Sequence, residues 1–121
     1  MKQVALAFLS VAGLVLPSAS LAQSGPYNDP TPGAASILGS NYSSAEREIR
    51  SADVSPYDPA RSINLGIVFA KTGQRDKAAR EFREVLREDD VQIVVASGKT
   101  YSSHDVASRA LASLEAGTLG K

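Results

Sequence analysis

From Asn41 onward, apolar residues recur at helical spacing, and the polar residues between them are of the kinds that start and stop helices. Ala45, Ile49 and Ala52 stand at i, i+4 and i+7, on one helical face. Ahead of them, Ser43-Ser44-Ala45-Glu46 has the form of a capping box. In it the Ser43 hydroxyl accepts from the Glu46 backbone N–H and the Glu46 carboxylate reaches back. Glu46 and Arg50 add an i,i+4 ion pair, and Ser55-Pro56-Tyr57 breaks this first helix. Asp58-Pro59 starts a second one, with Asp58 at the N-cap and Pro59 at the first helical position, where its missing N–H is harmless. The second helix runs to about Thr72, and Gly73 supplies a left-handed C-cap. It carries two apolar stripes, Leu65, Gly66 and Phe69 on one, and Ala60, Ile63, Ile67 and Ala70 on the other. Neighbours must therefore cover it on more than one side, and it is the centre of the domain.

A third helix is predicted over Gln74–Glu88, with Ala78, Phe82, Val85 and Leu86 inward. Lys77, Arg80, Glu81, Arg83, Glu84 and Arg87 fall on its remaining face and read as a solvated surface. The acidic run Glu88-Asp89-Asp90 opposes the helix dipole and marks its end. Val91 to Val95 is rich in β-branched residues. Ser97-Gly98 fits a two-residue turn, and Lys99-Thr100-Tyr101 returns as a second short strand. A hairpin this small has to pack on the helices to be stable. Ser102 or Ser103 then caps a fourth helix, with Asp105 as capping partner. Val106, Ala107, Ala110, Leu111 and Leu114 form its apolar face and Gly117 ends it. The fold class is mainly α: a short helix-turn-helix stack of about four helices with a small β-hairpin near 91–101.

The region before Asn41 has a different texture. Lys2 is followed by a nearly unbroken apolar run, Val4 to Leu16, and Ser20-Leu21-Ala22 offers a small-x-small cleavage site. That is the layout of a secretory signal peptide over residues 1–22, with cleavage after Ala22. The apolar run is shorter than the ~20 residues a spanning helix needs, so no membrane insertion is expected once the leader is removed. No Cys follows the cleavage site to carry a lipid. The expected location is periplasmic or secreted. Residues 23–40 are dense in Pro, Gly, Ser and Asn and read as a flexible lead-in, although Ile37-Leu38 could dock locally. The working domain is then 41–117.

Composition narrows the function classes. Removing residues 1–22 from 121 leaves 99, one small domain. The full chain balances 13 basic against 13 acidic side chains, and losing Lys2 leaves a net −1. A nucleic-acid partner usually requires a basic stripe, and none is evident, so no nucleic-acid binding is expected. Without cysteine the domain has no disulfide to compensate for a thin core, and no thiol-based metal or redox site.

Residues 43–90 carry a resemblance. Leu65-Gly66-x2-Phe69-x8-Ala78-x3-Phe82-x2-Val85 resembles the tetratricopeptide repeat, a helix-turn-helix unit of about 34 residues. Ala45-x3-Ile49-x2-Ala52 echoes Ala78-x3-Phe82-x2-Val85 at an offset of 33 residues, so the preceding helix fits as the second half of an earlier repeat. Ser62 and Asp90 stand where the family prefers Trp and Pro, and no first helix precedes Ser43. The resemblance implies that small Gly66 and Ala78 let paired helices approach while Phe69 and Phe82 fill the space between them. It also implies a binding module holding a protein partner, or a second copy of itself, on a concave face that presents Ile63, Ile67 and Lys71. About one and a half repeats are present where such stacks generally need three, so either the hairpin and last helix cap the stack or a second chain does. Internal capping is favoured because the 91–116 segment is itself amphipathic and needs a surface to cover.

Other motifs carry less chemistry. Gly98-Lys99-Thr100 resembles the end of a phosphate-binding loop, yet Ile93 stands where that motif needs Gly, and a hairpin turn explains the tripeptide better. Ser103-His104-Asp105 cannot act as a triad, because consecutive residues at a helix start point in different directions. A lone His with no Cys is a poor transition-metal site, and Asp89-Asp90 lacks the spacing of a calcium loop. Tyr42, Tyr57 and Tyr101 are scattered and more readily seal a small core than stack on a ligand. No catalytic residue, cofactor or metal site is therefore expected. The function this supports is an exported adaptor for protein–protein interaction in the cell envelope; the alternative is a small structural or stress-related envelope protein with no dedicated ligand site.

Overall fold

The computed structural model describes residues 32–95 and 97–120. The predicted leader, its cleavage site and the first part of the lead-in lie outside the described residues. Five helices and one hairpin follow in chain order: α1 (Ala34–Leu38), α2 (Tyr42–Ser51), α3 (Pro59–Lys71), α4 (Arg75–Arg87), β1 (Gln92–Val94), β2 (Thr100–Ser102) and α5 (Ser103–Glu115). The described fold is mainly helical, with one small two-stranded antiparallel sheet.

Each helix packs chiefly on the next in sequence, α1 on α2, α2 on α3, α3 on α4 and α4 on α5, while α5 also reaches back to α3. A single hydrophobic core results. Its middle is α3, where every residue from Ser62 to Ala70 is buried, as the two apolar stripes require. The α3–α4 pair approaches closely at Gly66. A Cβ on Gly66 would lie 2.5 Å from Cε1 of Phe82 and 2.8 Å from its Cζ, so the ring occupies the space that any side chain at 66 would need. Phe82 and Ala78 are both fully buried on the facing side of α4. The turn between these helices closes as a Schellman motif. Gln74 N–H donates to the Phe69 carbonyl at 2.8 Å and Gly73 N–H to the Ala70 carbonyl at 3.2 Å, with Gly73 at φ 80°. Gly117 repeats the motif after α5, where Thr118 N–H donates to the Ser113 carbonyl at 2.9 Å. Beyond it the chain folds back, burying Leu119 and bringing Gly120 against the Ala70 carbonyl.

Several boundaries depart from the sequence reading. α2 begins earlier than Ser43: Asn41 is the N-cap and its side chain accepts from Ser44 N–H at 3.3 Å. Ser43 thus lies within the first turn, where its hydroxyl accepts from Arg47 at 3.1 Å, and the capping box does not form. Glu46 instead takes its i+4 partner Arg50, at 2.9 Å. The end of the lead-in is ordered as α1, so a short helix does precede Ser43. Ile37 is buried in it, while Leu38 stays 66% exposed. Gly33 makes this start possible: it sits at φ 84°, and a Cβ there would meet Ile49 at 2.8 Å. The hairpin loop is one residue longer than the expected two-residue turn. Val95 N–H donates to the Lys99 carbonyl at 2.9 Å and Gly98 N–H to the Val95 carbonyl at 2.8 Å, with Gly98 at φ 87°. The second strand accordingly begins at Thr100.

Gly66→Ala tests the packing directly. The new methyl gains about 1 kcal/mol of helix propensity, yet it overlaps a ring with no room to retreat, a clash typically worth about 1–3 kcal/mol. The propensity gain is thus cancelled or outweighed, and a net destabilisation of up to about 2 kcal/mol is expected. Urea unfolding followed by circular dichroism measures it, and an Ala variant more stable than the wild type by the full propensity gain of about 1 kcal/mol would contradict the close approach.

Candidate functional site

The expected concave face does not reach the surface. Ile63 is 0% exposed and Ile67 4%, both inside the core, because α3 is enclosed by α2, α4 and α5. Neither can touch a partner without opening the fold, so both are core residues and not partner contacts. Lys71, the last residue of α3, is half-buried. The signal that separates the two roles was already present: a helix apolar around most of its circumference has no side left for a ligand.

The chemistry that reaches the surface lies where α2, α3 and α4 meet. Arg50 of α2 and Lys77 of α4 both lie over the Phe69 ring of α3, at 5.8 and 5.5 Å from its centroid. Cations so placed are held by the ring quadrupole while their charged ends remain in water. One turn after Lys77, Glu81 is half-buried, and burial pushes its carboxyl above the usual range; Arg61 and Arg50 pull it back, Glu84 pushes it further up, and Arg80 opposes. Arg61, Arg50 and Arg80 thus lie near the Glu81 carboxylate, with Lys77 one turn earlier on α4, while Glu84 lies beside it and Glu46 pairs with Arg50 at 2.9 Å. Open grooves run from here along α2, where Arg47 and Arg50 alternate with Glu46 and Glu48 and are flanked by Tyr42 and Thr72. The α4 face read as merely solvated thus contributes Lys77 and Arg80 to a local cationic seam. Periodicity could place these residues on the outside of α4 but could not bring them beside Arg50.

The Ser-His-Asp run is taken up by structure, each side chain in a different direction. The Ser103 hydroxyl is buried and accepts from Val91 N–H at 3.0 Å, while Ser103 N–H donates to the Val91 carbonyl at 2.7 Å. His104 Nε2 donates to the Glu88 carbonyl at 2.7 Å, and Asp105 pairs with Arg109 at 3.0 Å. Nothing aligns a nucleophile, a base and an acid at these three residues. Ser102 is the N-cap of α5, accepting from Asp105 N–H at 3.0 Å. The organising group is Asp90, expected to be only a solvated helix end. Its Oδ1 accepts from the Ser102 hydroxyl at 2.6 Å, from His104 N–H at 3.0 Å and from the Ser103 hydroxyl at 3.3 Å. These bonds hold the Asp90 carboxyl below its usual range, the Ser102 hydroxyl contributing most. Together with His104 they clasp the end of α4 to the start of α5 across the hairpin. Gly98-Lys99-Thr100 lies in the hairpin turn and second strand, exposed, with no helix N-terminus following Thr100 directly.

Among the described residues there is no group of three His, Cys, Asp or Glu side chains placed to hold a metal ion, and no helix is long and apolar enough to cross a membrane. Comparison with known proteins finds no matching family model, no matching curated protein and no matching solved structure.

Two pH dependences of opposite sign follow. A lowered folded-state pKa makes the Asp90 contribution to stability fully present above the unfolded value near 3.8 and lost as pH falls through the folded one. Asp90→Asn is expected to be less stable than the wild type at neutral pH, with the difference closing in acid; a constant difference from neutral pH down to acid would contradict the clasp. For Glu81 the folded pKa is raised, so the ionised carboxylate costs stability above that value, and the cost disappears below the unfolded value near 4.5. Glu81→Gln is expected to raise the melting temperature at neutral pH and to leave it unchanged near pH 4. A loss at neutral pH would show that the arginines outweigh burial.

Proposed function

We propose that the protein is an exported helical adaptor, built like a short tetratricopeptide-type stack, that takes a protein partner on the seam where Arg50 and Lys77 converge on Phe69. The observation that carries this reading is the pairing of α3 and α4 at Gly66 and Phe82, the small-against-large contact that the repeat pattern calls for. The sequential packing of α1 through α5 also supports it, since each hairpin leans on the next as repeat units do. The apolar face of α3 is spent on the core, so recognition moves outward to the charged seam. The exposed cations Arg50 and Lys77, held over the Phe69 ring, favour a partner segment rich in Asp, Glu or a free carboxylate. Export rests on the leader-like residues 1–22, and it places the partner in the envelope or outside the cell.

The test is a paired capture from envelope extracts with tagged wild-type protein and an Arg50→Glu/Lys77→Glu variant, quantified by mass spectrometry. Both side chains are exposed, so each substitution is expected to shift stability by no more than about 0.5–1 kcal/mol. A genuine partner is recovered with the wild type and lost by at least about tenfold with the charge-reversed seam, equivalent to about 1.4 kcal/mol. The same proteins recovered equally with both would contradict the assigned surface.

A further inference from the structure

Among the described residues the outer edge of β1 has no backbone partner, and the register says which groups lie on it. β1 pairs with β2 as Gln92 with Ser102, Ile93 with Tyr101 and Val94 with Thr100. The flanking bonds, Ser103 N–H to the Val91 carbonyl and Val95 N–H to the Lys99 carbonyl, make 91, 93 and 95 the residues whose backbone groups point toward β2. By alternation, the N–H and C=O of Gln92 and Val94 point away from it. Both strands of this two-stranded sheet have an outer edge, and that of β1 carries no backbone hydrogen bond among the described residues. The flank of β1 carries Val91, one of three large apolar residues exposed among those described, at 42%. An uncharged, β-branched edge with open hydrogen-bonding groups is a template for another strand.

We propose that the occupant of this edge is a second copy of the chain, with the two β1 strands antiparallel about a twofold axis at Ile93. The inference deepens the protein-binding reading and rests on it, naming self-association as one of its modes. An antiparallel edge is its own complement. With the axis at Ile93, Gln92 of each copy exchanges both backbone bonds with the second copy's Val94. Val91 comes to lie along the second copy's strand opposite Val95, whose own side chain is buried in the core, so the strand backbone is what screens the exposed valine. The charges agree with this register and not with a parallel one. Asp89, exposed just before β1, meets the second copy's turn at Ser97, beside its exposed Lys99, and the same pair recurs on the other side of the axis. The result is a four-stranded sheet in place of a hairpin too short to be stable by itself.

Sedimentation equilibrium over a range of concentrations, combined with hydrogen exchange at single-amide resolution, tests the proposal. A monomer–dimer equilibrium is expected, with the Gln92 and Val94 amides becoming slower to exchange as concentration rises while the Ile93 amide is protected throughout. Gln92→Lys/Val94→Lys, whose fold is checked by circular dichroism, should weaken the dimer by about tenfold or more by setting like charges across the axis. Asp89→Lys should weaken it too, and Asp89→Lys/Lys99→Asp should restore it. A protein that stays monomeric at its solubility limit overturns the proposal while leaving a heterologous partner on the cationic seam intact. A dimer indifferent to the Gln92 and Val94 substitutions, with both amides still exchanging freely, overturns the β1 edge and assigns self-association to another face.

Discussion

The fold depends on one close approach, the Phe82 ring lying over Gly66. Because position 66 carries no side chain, α3 and α4 come near enough for Phe82 to be wholly enclosed, and the two helices share the most extensive contact among the described elements. A domain this size has little core to spare and no disulfide to hold it. Losing that contact would separate α3 from α4, and α2 and α5 are positioned by packing against this pair. The same contact determines what α3 cannot do. Surrounded by α2, α4 and α5, it places Ile63 and Ile67 in the core, so recognition must use what the outer helices present.

A second constraint acts at the other end of α4. Asp90 gathers Ser102, Ser103 and His104, while His104 reaches back to the Glu88 carbonyl. The hairpin between them is short, and this clasp fixes the angle at which α5 returns to α4. Arg75 closes the opposite end, donating to the Leu114 carbonyl at 2.8 Å. The α4–α5 pair is thus tied at both ends by polar groups, and the α3–α4 pair is joined through its core by apolar ones. Residues resembling a catalytic run serve as fasteners, which is why Ser103 is buried and Asp105 faces Arg109.

How much of this was legible in the chain follows the physics of each signal. Periodicity located α2 to α5, and the apolar circumference of α3 correctly marked it as central, because burial pattern is a local property of spacing. Gly73 and Gly117 were readable for the same reason, each a one-residue solution to a specific steric demand. The close approach at Gly66 and Ala78, filled by Phe69 and Phe82, was only implied by the repeat resemblance, and the particular contact of Phe82 with Gly66 came from the fold. What could not be read depends on long-range geometry. The N-cap of α2 passed from Ser43 to Asn41 because several residues there can cap and the packing of Ile49 against Gly33 selects one helix start. Asp90 looked unfavourable at a helix end until the fold brought the start of α5 to it, 12 to 14 residues onward. The seam of Arg50, Lys77 and Glu81 joins positions on different helices that no spacing rule connects. The leader reading over residues 1–22 and the family likeness stand on sequence alone.

If the enclosure of Phe82 over Gly66 organises the molecule, the two positions must be energetically coupled rather than independently tolerant. A double-mutant cycle measures that coupling, using Gly66→Ala, Phe82→Leu and the pair together in urea denaturation. The account predicts that Gly66→Ala is costly while Phe82 is present and nearly neutral or stabilising in the Phe82→Leu background. The coupling is then about 1 kcal/mol or more, above the 0.3–0.5 kcal/mol expected of independent sites. Additive costs within that margin would contradict it, and would mean that α3 and α4 are held together by something other than the ring over the glycine.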